Sequence, residues 1–109
     1  MLETLLGSKV RESVLIYLVG RNKGYAREIA AFYKYSLSSV QNQLDRLESG
    51  NVLVSVLSGR TRVYSFNPRY PFLKELKALL IQTLLFLPVD EHDKLLKSRR
   101  RPRRKLKPL

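Results

Sequence analysis

The sequence predicts a mainly α-helical domain with one small β-hairpin and an additional C-terminal apolar helix. Three observations predict it. Apolar residues recur at helical spacing in three successive segments before position 50. Between positions 52 and 66 the pattern becomes that of two strands around a glycine-containing turn. A strongly apolar helical run then extends from Phe72 to Leu87, bounded by Pro71 and Pro88.

The first helix reads from Ser8, a capping residue, to Val19, with Val10, Val14, Leu15 and Leu18 at helical spacing and Gly20 ending it. Arg21-Asn22-Lys23-Gly24 reads as a polar turn. A second short helix spans Arg27 to Tyr33, with Ile29, Ala30 and Tyr33 on one face. Ser36 is placed to cap a third helix, 37–49, whose buried stripe is Val40, Leu44 and Leu47. Gly50-Asn51 terminates it, since both residues tolerate a left-handed backbone. Val52 to Leu57 and Arg62 to Phe66 form the hairpin around Ser58-Gly59-Arg60-Thr61. Val63 and Ser65 face one way and Tyr64 and Phe66 the other. After the break at 67–71, Pro71 suits the first position of the apolar helix. A short helix follows from Asp90 to about Lys97, with acidic residues at its dipole-positive end. The expected divisions are therefore 1–70, 71–97 and a basic, disordered tail at 98–109.

Composition narrows the function. The 109 residues support one core, and 44% hydrophobic content is enough to build it. With no cysteine and one histidine, His92, the chain lacks disulfides, thiolate metal sites and His-based triads. It also lacks a phosphate-cradling glycine-rich loop, so no enzyme is predicted. The net charge is +12, and eight of the basic residues fall between Lys97 and Lys107. Removing them leaves 13 basic and nine acidic residues in 1–96, a mildly basic body of +4. That balance points to a polyanionic partner. The start lacks the order of a secretion signal, and the apolar stretch from Ala78 to Val89 is too short to span a bilayer. The prediction is a cytoplasmic protein without membrane association.

Arg27-Glu28-Ile29-Ala30, followed by Ser36-x-x-Ser39-Val40-x-x-x-Leu44-x-x-Leu47-Glu48-x-Gly50-x-Val52, resembles prokaryotic winged helix-turn-helix transcriptional regulators of the ArsR-like kind. Ser8-x-x-Arg11-x-x-Val14-Leu15-x-x-Leu18, Arg62-Val63-Tyr64 and Asn67-Pro68 fit the same pattern, so the resemblance covers roughly residues 8–70. It implies a winged helix-turn-helix in which 37–49 is the recognition helix and 58–62 the wing. Tyr70-Pro71-Phe72-Leu73-x-Glu75-Leu76 resembles winged-helix modules associated with nucleotidyltransferases.

Burying Val40, Leu44 and Leu47 leaves Leu37, Ser38, Gln41, Asn42 and Asp45 on the outward face of the third helix. A helix enters the major groove of double-stranded DNA with its N-terminal residues nearest the bases. The expected base contacts are Leu37, Ser38, Gln41 and Asn42; the two amides have the donor and acceptor needed to read adenine bidentately. The expected backbone or wing contacts are Lys34, Ser36, Ser39, Arg60 and Arg62, with the face of Arg62 decided by its strand position. Lys34 stands where the resemblance implies glycine. Either the backbone there is left-handed and strained, or the turn is built differently. Arg11 is expected to cover apolar surface with its stem. Arg46 has no assigned role.

Leu2, Leu5, Leu6, Leu76, Leu80, Leu84 and Leu87 are expected to form a homodimer interface, which suits two half-sites about 34 Å apart. The competing reading is an intramolecular clamp. The tail is either an electrostatic arm on DNA, an RNA-binding element or a localisation signal. Asp90-Glu91-His92-Asp93 resembles the Asp-x-His pair of metal-sensing relatives, but the reciprocal ligand set is absent, so no metal is expected. No cofactor or small-molecule effector is identifiable. The leading expectation is a dimeric, sequence-specific DNA-binding transcriptional regulator. The alternative is a winged-helix protein-interaction module, possible partners including a nucleotidyltransferase-like protein, that touches nucleic acid only through its tail.

Overall fold

A computed structural model describes residues 1–91 and 93–96. In chain order the elements are α1 (Glu3–Leu6), α2 (Lys9–Arg21), β1 (Lys23–Gly24), α3 (Ala26–Tyr33), α4 (Leu37–Ser49), β2 (Leu53–Ser58), β3 (Thr61–Phe66) and α5 (Leu73–Leu85). Residues 89–91 and 93–96 are also helical. The arrangement is a winged helix-turn-helix, with α3 and α4 as the two helices and β2–β3 as the wing. His92 and residues 97–109, including the expected disordered tail at 98–109, lie outside the described residues.

Ser8 caps α2 by accepting the Arg11 N–H at 3.1 Å. The helix does not end at Gly20. It runs to Arg21 and stops at Asn22, whose φ of 76° ends the helical path. Gly20 instead permits close packing, because a β-carbon there would lie 3.3 Å from Leu95 Cβ. Lys23-Gly24, expected as a turn, pairs with Ser65 and Tyr64 to give a three-stranded antiparallel sheet in the order β1-β3-β2. Two residues carry no readable alternation, so this strand was hidden. Gly24 is required by proximity: a β-carbon would sit 2.8 Å from the Tyr17 ring.

α3 starts one residue earlier than expected and closes at Lys34, which has φ 63° and ψ 41°. Of the two readings of Lys34, the left-handed one is correct. Ser36 caps α4 as expected, accepting the Ser39 N–H at 3.2 Å. Val40 and Leu44 are fully buried and Leu47 nearly so, while Asn51 takes the left-handed conformation after the helix. In the wing, Ser58 opposes Thr61, leaving a two-residue turn of Gly59-Arg60. Gly59 has φ 64°, as the first central residue of a type II′ turn requires. Tyr64 and Phe66 face the core, and Val56 and Leu57 are exposed toward the tip.

α5 starts at Leu73, not at Pro71, which lies in the preceding turn, and it ends at Leu85. Its inner face corrects the expected dimer interface. Leu80 is 0% exposed and Leu84 6%, both in the same cluster as Val14, Leu18 and Ile29. Leu2, Leu6, Leu76 and Leu87 are half-buried against that cluster, and Leu5 alone of the seven is exposed. The spacing identified an apolar helix correctly but not which side the body would cover. The C-terminal segment also folds back: Leu95 is fully buried, and the Arg21 guanidinium donates to the carbonyls of Lys94 and Leu95 and to the Tyr17 hydroxyl. It lies 4.8 Å from the Tyr17 ring centroid and 5.1 Å from that of Phe32. Among the described residues no helix is long and apolar enough to cross a membrane.

Candidate nucleic-acid interface

α4 owes its two faces to its spacing. With Val40, Leu44 and Leu47 turned into the core, Leu37, Ser38, Asn42 and Asp45 are exposed and Gln41 is half-buried. The wing curls over the N-terminal half of this face. Between them lies an open cleft of about 550 Å³ lined by Tyr25, Arg27, Leu37, Gln41, Arg60 and Arg62, among others. Four expected residues therefore converge: Leu37, Gln41, Arg60 and Arg62. Ser38 and Asn42 share the exposed face without lining the cleft.

Lys34, Ser36 and Ser39 sit apart at the α3–α4 turn. Ser36 and Ser39 bond each other through their hydroxyls at 2.7 Å, and Ser36 is committed to the helix cap. Sequence reasoning missed Tyr25 and Arg27 as site residues. Arg27 appeared only as part of a motif, although a basic residue in the first turn of the helix preceding a recognition helix is a readable phosphate signal. Three guanidinium groups, from Arg27, Arg60 and Arg62, thus border one cleft with no carboxylate among its described lining residues.

Two hydrogen-bond chains hold this geometry. Arg62 Nη1 donates to Ser55 Oγ at 3.0 Å, and Ser55 Oγ donates to Glu48 Oε2 at 2.6 Å, so the wing is braced to the end of α4. Gln41 Nε2 donates to Asp45 Oδ1 at 2.9 Å and to the Tyr64 hydroxyl at 3.0 Å. Both of its N–H bonds are used within the chain, whereas the expected bidentate reading of adenine by Gln41 needs a free donor beside the carbonyl. Tyr64 is buried, and burial raises its pKa above the ordinary tyrosine value, keeping the hydroxyl neutral. Arg11 lies outside the cleft and ties helices together, donating to Gln43 Oε1 at 2.8 Å and to the Leu6 carbonyl at 2.9 Å. Among the described residues no group of three or more His, Cys, Asp or Glu side chains could hold a metal ion.

No family model and no curated protein matches this chain. Solved structures do. YusO from Bacillus subtilis aligns with a TM-score of 0.58 at 21% identity, covering 100% of this chain and 83% of that one. MepR, a transcription regulator of the Staphylococcus aureus multidrug efflux pump MepA, aligns with a TM-score of 0.57 at 17% identity, covering 97% and 84%. A MarR family transcriptional regulator from Silicibacter pomeroyi aligns with a TM-score of 0.55 at 18% identity, covering 88% and 65%. These likenesses support the winged helix expected from the sequence but not the ArsR-like subtype, since the family named among them is MarR. What this chain shares with them is the winged helix-turn-helix fold.

Proposed function

We propose that this chain is a sequence-specific, double-stranded DNA-binding transcriptional regulator that acts as a homodimer. The observation that carries the reading is the cleft in which Arg27, Arg60 and Arg62 surround the polar N-terminal half of α4. A major groove is wide enough for α4, which presents Leu37, Ser38 and Asn42 to base edges. The wing and the start of α3 then lie against phosphates, which fix register. Lys34 at the helix-turn-helix bend is a further phosphate contact. A variant of MepR has been solved bound to an oligodeoxyribonucleotide, which favours DNA over other polyanions for a chain of this fold.

The dimer interface in this reading is the outer face of α5 with α1. Leu79, Ile81 and Leu85 are exposed on α5, Phe86 directly after it, and Leu5 on α1. Exposed apolar side chains in such number are unusual on a monomer, and a second copy related by twofold symmetry covers both patches at once.

Titration of Arg27→Ala and Arg60→Ala against selected duplexes tests the reading. Each change weakens binding to all sequences alike and lowers the slope of log affinity against log salt by about one. Unchanged affinity in the double variant, with binding abolished by deleting 97–109, transfers the nucleic-acid contact to the tail and supports the interaction-module alternative.

A further inference from the structure

Resting on the DNA-binding reading, we infer that the Gln41–Asp45 pair of α4 selects an exocyclic amino group in the major groove, that of cytosine above that of adenine, and rejects guanine and thymine at that step.

The orientation of the Gln41 amide follows from chemistry. A carboxylate only accepts hydrogen bonds, so the group turned toward Asp45 Oδ1 at 2.9 Å is the NH₂. The second hydrogen of that NH₂ meets the Tyr64 hydroxyl at 3.0 Å, and Tyr64 is itself anchored in the core at 1% exposure. Flipping the amide loses the Asp45 bond and aims its carbonyl at a carboxylate, so Asp45 sets the orientation, while the Tyr64 hydroxyl, which can donate or accept, holds the side chain in place. The amide is therefore locked, with Nε2 spent inward and Oε1 left over. Oε1 has no partner among the described residues, and no buried side-chain oxygen there is unsatisfied, so it is open to solvent. Asp45, four residues on and exposed, adds its second carboxylate oxygen on the same face.

The pair thus offers acceptors only. In the major groove guanine displays two acceptors and thymine one acceptor with a methyl group. Both leave a carboxylate facing oxygen or nitrogen lone pairs. Adenine offers a donor at N6 but places the N7 acceptor beside it. Cytosine offers the N4 amino group without an adjacent acceptor on the same base, and it is the natural partner of an acidic side chain. Asp45 also repels phosphates, so it lowers affinity for every duplex in which the amino group is missing. The expected signature is a residue that reduces general affinity and raises discrimination.

The test uses the full chain and Asp45→Asn in parallel selections of duplexes from a randomised pool. Asp45 is exposed, so the variant is expected to keep its fold, which circular dichroism checks. The wild-type motif contains a cytosine whose preference disappears in Asp45→Asn, while binding of random duplex tightens. Replacing that cytosine by a pyrimidin-2-one nucleotide, which lacks only the amino group, weakens wild-type binding about tenfold and leaves Asp45→Asn nearly unaffected. A wild-type motif that is unchanged in Asp45→Asn, or whose affected position is guanine or thymine on the contacted strand, overturns this inference and leaves the DNA-binding reading standing. Absence of any selected motif overturns both.

Discussion

Lys34 carries a β-carbon in a left-handed backbone, with φ 63° and ψ 41°, at the close of α3. For a residue of this kind the conformation costs on the order of 1 kcal/mol, which glycine avoids while adding some entropy to the unfolded chain. Lys34→Gly is accordingly expected to raise stability by about 0.5 kcal/mol in urea unfolding, with a small loss of DNA affinity from the missing cation. A destabilised variant contradicts the backbone account. At Gly24 the expectation is opposite: an added β-carbon meets the Tyr17 ring at 2.8 Å, so Gly24→Ala weakens the join of α2 to the sheet. Caps were the most legible single residues, because Ser8 and Ser36 act through bonds three positions away. The lock on Gln41 was not legible, since it depends on Tyr64, 23 positions on and across the wing.

At the level of elements, α5 separates what periodicity tells from what packing decides. The run 72–87 announced an apolar helix, and its inner stripe of Leu80 and Leu84 proved to be core. Leu80→Ala is therefore expected to cost about 2–5 kcal/mol of folding stability rather than to alter assembly. A charge on the outer face, as in Leu85→Glu, leaves the fold intact and dissociates the proposed dimer in sedimentation at micromolar concentration. A monomeric wild type, or a Leu80→Ala protein of unchanged stability, contradicts this division of faces. The winged-helix order α3, α4, β2, β3 was readable because each element carries its own period and its own terminators. β1 was not, because two residues gain their identity only from pairing with Ser65 and Tyr64. The wing's brace from Arg62 through Ser55 to Glu48 was likewise invisible until the register placed them together.

At the level of the whole molecule, charge and burial make separate predictions. The eight basic residues from Lys97 to Lys107 are expected to supply salt-sensitive affinity without sequence preference. Tyr17, Tyr33 and Tyr64 all have pKa values raised above the ordinary 10.0, chiefly by burial. Unfolded tyrosines ionise from about pH 10 while the folded ones stay protonated, so the unfolded state binds fewer protons there. Stability is thus full below pH 10 and falls as pH rises beyond it, which thermal unfolding across that range reads directly. The central claim is that α4 carries the sequence preference and the tail only adds affinity. Competition of one selected duplex against random duplex, for wild type, Ser38→Glu/Asn42→Glu and a chain lacking 97–109, measures both contributions. The account predicts that the α4 variant loses its preference, while the truncated chain keeps the preference and loses mainly salt-dependent affinity. An α4 variant as selective as wild type, alongside a truncated chain that binds nothing, would contradict it.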